Sequence, residues 1–189
     1  MSGWRAIVPL NLGGACKTRL SPRLSPWQRE RLVEAMARHV IERLAAASAV
    51  DEIAVLSPRP PPFPRVEWLA DRGGGLNAEL ARALGGGRVI VIHADLPLLA
   101  VHDIAALAAS AENAGAALAP DRAGRGTNAL ALTSAGGFRP RFGRGSFALH
   151  REALPAAAIV ARPGLAGDVD TVEDLDRVLA AGAAIAAPI

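Results

Sequence analysis

An α/β domain with a mixed, mostly parallel sheet and helices on both faces is the fold class this chain predicts, and three observations point there. Segments of strand character alternate with segments of helical periodicity along the chain. The clearest strand, Val89-Ile90-Val91-Ile92, is apolar without interruption, as expected of a strand covered on both faces. Size is the third: 189 residues, of which 51% are hydrophobic and 21% charged, suffice for one substantial core and not two. A single domain over residues 1–189 follows.

Strands are expected at residues 6–10, 52–56, 66–69, 89–93, 116–119, 129–132 and 157–161. Ser25 and Pro26 supply an N-cap and a first-turn proline for a long helix, whose apolar positions Leu32, Met36, Val40 and Leu44 recur every four residues. Further helices are expected at 76–84, 101–113, 146–154 and 172–181. The Pro-rich stretch 58–64 is short enough to be a stiff surface loop, and no internal repeat is evident. In such an architecture the site lies beyond the carboxyl ends of the strands.

Composition narrows the function classes. High apolar content with a net charge of only +3 excludes low-complexity disorder. Apolar runs end after a few residues, whereas a helical membrane span needs about twenty. The first residues lead straight into a strand without a signal-peptide pattern, so the cytoplasm is the expected location, and the single Cys16 permits no internal disulfide. The pI of about 10.3 looks like a nucleic-acid signal. With no Tyr, one Lys and one Cys, however, little titrates between roughly pH 8 and 12, and a small surplus of Arg sets it. Scattered basic residues and 4% aromatic content speak against a nucleic-acid binder.

Chemistry concentrates in a few segments. The buried strand running into Asp95 and Pro97 delivers a carboxylate to the sheet edge, suited to Mg²⁺ and phosphates or, equally, to capping a turn. Asp168 and Asp170 stand two apart, so an extended backbone puts both on one face, as metal binding requires. A local capping arrangement explains Thr171 and Asp174 and leaves Asp168 without a task. Three glycine loops are candidate anion holders. The first contains Gly13, Gly14, Lys17 and Arg19, its lysine the only one in an arginine-rich chain; its spacing is neither a Walker loop nor a Rossmann fingerprint. The second is Asp121–Asn128. In the third, 142–146, Ser146 stands where a helix begins, as an anion contact or a plain N-cap. Leu76 and Asn77 follow three glycines at a helix start, where a backbone could approach a base or simply cap the helix. Cys16 has no evident base partner, and His39, His93, His102 and His150 have no zinc spacing.

Taken in order, ADLPLL, APDRAGRGTNALAL, FGRGSFALHREAL and GLAGDVDTVEDL resemble the 2-phospho-L-lactate guanylyltransferase family of deazaflavin coenzyme F-420 biosynthesis, over essentially the whole chain. The resemblance implies a single-domain, three-layer nucleotidyltransferase fold similar to nucleotide-diphospho-sugar transferases. It implies transfer of GMP from GTP to the phosphate of a three-carbon phospho-acid, with release of pyrophosphate. Carried over by motif, Asp95, Asp168 and Asp170 would hold two Mg²⁺ ions and with Lys17 would form the catalytic set. Thr127, Gly143 and Ser146 would contact the phospho-acid. Gly14, Lys17 and Arg19 would face the GTP phosphates, and Leu76 and Asn77 would lie near the nucleotide. No side-chain base is needed, because the attacking phosphate oxygen is already ionised at neutral pH.

Two departures from the family stand out: an additional lysine usual near Asn11 is absent, and His93 occupies a position expected to be small or apolar. Among acceptors, 2-phospho-L-lactate, phosphoenolpyruvate and 3-phospho-D-glycerate fit the motifs equally. Another nucleotidyltransferase of the same fold, acting on molybdopterin or a sugar phosphate, and a non-catalytic nucleotide-binding protein are the alternatives. The resemblance further implies a downstream transferase that consumes an unstable product, and a small Ala-rich domain makes a homodimer reasonable.

Overall fold

The computed structural model describes residues 3–11, 16–183 and 185. Seven strands form one sheet: β1 (Trp4–Pro9), β2 (Val50–Ser57), β3 (Glu67–Ala70), β4 (Val89–Ile92), β5 (Ala116–Pro120), β6 (Thr127–Leu132) and β7 (Ala158–Ile159). Among the described residues six α-helices accompany them: α1 (Pro26–Ala45), α2 (Leu76–Ala83), α3 (Val101–Ala114), α4 (Ser146–Ala153), α5 (Pro163–Ala166) and α6 (Val172–Ala180). Each expected strand and helix is found. The last strand is shorter than expected, and the one-turn α5 carries too little periodicity to be read from sequence.

The sheet runs in the order β3-β2-β1-β4-β6-β5-β7. β1 pairs in parallel with β2 and β4, β2 with β3, and β5 with β7, while β6 is antiparallel to both neighbours. Reversal of β6 brings its first residues, Thr127 and Asn128, to the edge where β1 and β4 end. Strand order turns outward in both directions from the β1/β4 pair, so a crevice opens there.

Alternation across the pleat explains the uninterrupted apolar run of β4. Ile90 and Ile92 pack with Leu32, Met36, Val40 and Leu44 of α1 and with Ile104 and Leu107 of α3. Val89 and Val91 face the other layer with Leu80 and Leu84 from the α2 side. α1 starts in a capping box: Ser25 Oγ accepts from Gln28 N–H at 3.3 Å, and Gln28 Oε1 accepts from Ser25 N–H at 2.9 Å. Among the described residues no helix is long and apolar enough to cross a membrane.

Candidate active site

At the carboxyl ends of β1 and β4 lies a cleft of about 870 Å³. Lys17, Arg19, Leu76, His93, Asp95 and Asp170 line it. Lys17 reaches it from a backbone with φ 48°, just before a short 3-10 turn at Thr18–Leu20. Its ammonium donates to Asp95 Oδ2 and, at 2.7 Å, to Asp170 Oδ1. Burial works against the Lys17 charge, but the Asp95 and Asp170 carboxylates outweigh it and hold its pKa above the usual lysine value. Burial likewise opposes ionisation of Asp95, and the charges of Lys17 and His93 overcome it, so Asp95 stays anionic below the usual range.

The backbone that presents Lys17 is tied down from α1. Arg29 is buried; its Nε donates to the Cys16 carbonyl at 3.2 Å and its Nη1 to the Leu24 carbonyl at 3.0 Å. Gly14 lies outside the described residues.

Asp168 joins the site from the other side. Asn128, buried at the start of β6, donates through Nδ2 to Asp168 Oδ1 and to the Leu165 carbonyl, both at 3.0 Å. Burial raises the Asp168 pKa, the Asn128 hydrogen bond pulls against it, and the nearby charges of Asp95 and Asp170 raise it further. Three carboxylates thus feel one another at the mouth of the β1/β4 crevice. Asp95 Oδ1 is buried and has no hydrogen-bond partner among the described residues. An orphaned carboxylate oxygen in an all-oxygen donor set fits a hard divalent cation. In the present arrangement Lys17 draws Asp95 and Asp170 together, and no group of three or more His, Cys, Asp or Glu among the described residues is close enough to hold a metal.

Beyond His93, whose ring packs on Phe142, lies the third glycine loop, none of whose residues lines the cleft. Thr127 and Ser146 are both buried, and Ser146 Oγ accepts from Thr127 N–H at 2.9 Å. His150, completely enclosed, contacts Thr127 Oγ1 through Nδ1 at 2.9 Å, while its Nε2 accepts from Arg141 N–H at 3.0 Å. Since a backbone N–H can only donate, the neutral ring carries its proton on Nδ1 and gives it to Thr127, leaving the threonine hydroxyl hydrogen to be donated onward. Burial lowers the His150 pKa to about 4, and Arg141 and His93 add to the effect. Gly143 is exposed on the loop with φ 120°, a conformation that favours glycine.

Asn77 does not reach into the cleft in this arrangement. Its side chain pairs with the Phe142 backbone in both directions, accepting N–H at 2.7 Å and donating to the carbonyl at 3.0 Å, and so shapes the third loop. The second loop is likewise spoken for: the Asp121 carboxylate takes the N–H groups of Arg125 and Gly126 at 2.8 and 2.7 Å, which removes them as anion ligands.

With this geometry in place, comparison with known proteins decides the lineage. A family model described as guanylyl transferase CofC like matches residues 4–187. This chain belongs to that family. Among its relatives, the phosphoenolpyruvate guanylyltransferase of Sphaerobacter thermophilus is 37% identical over 191 residues, covering 92% of this chain and 91% of the relative. The enzyme of the same name from Rubrobacter xylanophilus is also 37% identical, over 193 residues and 94% of each chain. A nucleotide-diphospho-sugar transferase-like crystal structure from Desulfovibrio desulfuricans superposes with a TM-score of 0.75 at 18% identity, covering 94% of this chain and 87% of that one. A nucleotidyl transferase from Methanothermobacter thermautotroptrophicus gives 0.63 at 16% identity over 94% and 96%. These two show the shared nucleotidyltransferase fold.

Of the residues singled out from the sequence of this CofC-like chain, the structure places Lys17, Arg19, Leu76, Asp95 and Asp170 in one cleft, with Asp168 beside it and Thr127 and Ser146 buried near the third loop. Sequence reasoning misses Asn128, Arg29 and the role of His150. Asn128 and His150 both stand inside the quoted motifs, but their partners, Asp168 and Thr127, are distant in sequence; Arg29 acts through the Cys16 and Leu24 carbonyls, which no spacing announces.

Proposed function

We propose that this CofC-like protein is a GTP-dependent guanylyltransferase that joins GMP to the phosphate of a three-carbon phospho-acid in deazaflavin coenzyme biosynthesis. Phosphoenolpyruvate, for which its curated relatives are named, is the acceptor we favour. The observation that carries the reading is the cleft itself, where one buried ammonium and converging carboxylates meet at the β1/β4 switch point.

An acceptor phosphate oxygen attacks the α-phosphorus of GTP, the bond from that phosphorus to the bridging oxygen breaks, and pyrophosphate leaves. Asp95, Asp168 and Asp170 would hold Mg²⁺, which when bound supplies charge neutralisation to the triphosphate and the departing pyrophosphate. Lys17 and Arg19 face the triphosphate; Leu76 borders the nucleoside. Thr127, Gly143 and Ser146 receive the phospho-acid, with His150 turning the Thr127 hydroxyl hydrogen outward. The chain has no need of a base, because the nucleophile is an anion at neutral pH, and alignment is the main demand. The setting is cytoplasmic, and the product passes to a downstream transferase.

The test is product formation from GTP, Mg²⁺ and each of the three phospho-acids, with the downstream transferase and its deazaflavin precursor present to trap product. A trapped intermediate with phosphoenolpyruvate is expected. Asp95→Asn and Asp168→Asn should each lower kcat by at least about a hundredfold, the scale of losing a preorganised charge, while the fold survives by circular dichroism. Full activity in both variants would remove these carboxylates from the mechanism.

A further inference from the structure

His93 is the feature of the sequence that the proposed reaction leaves unused. It follows β4 directly and lines the cleft two positions before Asp95. Its backbone N–H is fixed on the Asn128 carbonyl at 2.9 Å. Its ring packs on Phe142 with centroids 5.4 Å apart, and the other neighbour of Phe142 is His150 at 4.8 Å, edge to face. Phe142 cannot drift, since the Asn77 amide clamps its backbone from both sides. The imidazole of His93 is therefore held in place by a tilted ring contact while, among the described residues, neither ring nitrogen has a hydrogen-bond partner. It is half-buried, so those nitrogens meet whatever fills the cleft.

Position decides what that is. Lys17 reaches Asp95 from the segment after β1 and Arg19 lines the same cleft, the side given to the triphosphate in the proposed function. His93 stands on the β6 and α4 side, joined through Phe142 and Asn128 to the loop and strand that carry Ser146 and Thr127. We infer that His93 is a substrate-binding residue that donates a hydrogen bond to an anionic oxygen of the phospho-acid acceptor. This rests on the guanylyltransferase reading above. An imidazole has an N–H to donate in either charge state, so the ring needs no change of charge to serve. A small or apolar residue at this position would leave the acceptor that much more loosely held.

The experiment compares steady-state kinetics of the wild-type protein, His93→Leu and His93→Gln, varying phosphoenolpyruvate and GTP separately with Mg²⁺ saturating. Thermal midpoints and GTP binding serve as controls on the fold. In His93→Leu the KM for phosphoenolpyruvate should rise about ten- to a hundredfold, the usual consequence of losing a hydrogen bond to a charged group, with the KM for GTP within about twofold of wild type. His93→Gln, which restores a donor at similar reach, should recover most of the loss even where His93→Leu folds poorly. An unchanged KM for phosphoenolpyruvate in both variants, or equal rises in both KM values, overturns the assignment. A wild-type protein that turns over no phospho-acid overturns the guanylyltransferase reading as well, and the two failures are thereby separate.

Discussion

His150 sits with one ring nitrogen accepting a backbone N–H and the other donating to a buried hydroxyl, so protonation would break the first bond and leave a charge where water cannot reach. Its pKa of about 4 lies below the ordinary value of 6.5, and the unfolded chain therefore takes up the proton first. The stabilisation it brings is complete above about pH 6.5 and drains away as pH falls toward 4, by about 3 kcal/mol in all. Denaturant midpoints at pH 7 and pH 4.5 should diverge more in wild type than in His150→Gln; equal losses in the two proteins would show that another group carries the acid sensitivity. Individual residues were unevenly legible. Asp95 could be singled out because a buried strand delivers it to the sheet edge, although that context alone serves a turn cap equally well and only the ADLPLL motif favoured the site. His150 gave no such signal, since its meaning lies in Thr127, 23 positions away.

Elements were read more surely than residues, because periodicity sums over many positions. α1 shows this: its cap, its proline and its four-residue repeat all agree, and Leu32, Met36, Val40 and Leu44 are all fully buried. α5 shows the opposite, a single turn held by packing that propensity cannot supply. It sits against Asp103, which is buried, accepts from the Ala100 N–H at 3.0 Å and pairs with Arg162. A Cβ at Gly164 would run into the Asp103 carboxylate and stand 2.8 Å from the Leu98 carbonyl oxygen. Gly164→Ala should thus cost about 2 kcal/mol or more and lower the melting temperature by several degrees. Because the Leu165 carbonyl receives Asn128, which also holds Asp168, activity should fall along with stability. An unchanged melting temperature would mean that α5 shifts freely, contrary to this packing.

For the molecule as a whole, the alternation of strands and helices revealed the layers, and the reversal of β6 was beyond it. Strand direction is settled by pairing between distant segments, Val89 with Leu132 for example, and no local pattern records it. A ligand that bridges the two halves of this sheet should stabilise the entire domain. At a hundred times its Kd, GTP with Mg²⁺ adds about 2.7 kcal/mol, a rise of roughly 5–10 °C in melting temperature for a domain of this size. A larger rise with CTP or UTP than with GTP would contradict a guanylyltransferase.

Strand order also sets a timetable for the nascent chain. β1 to β4 can assemble as soon as Ile92 has left the ribosome, since their pairings need nothing later. The edge of β4 must then wait for β6, although β5 is made first, so the hairpin has to dock by its second strand. Until it does, an entirely apolar edge, Val89–Ile92, stands open to other chains. Docking of β6, which brings Thr127 and Asn128 to this end of the sheet, is the same event that closes this edge, so a chain with its proposed acceptor site assembled is also one past its most aggregation-prone stage.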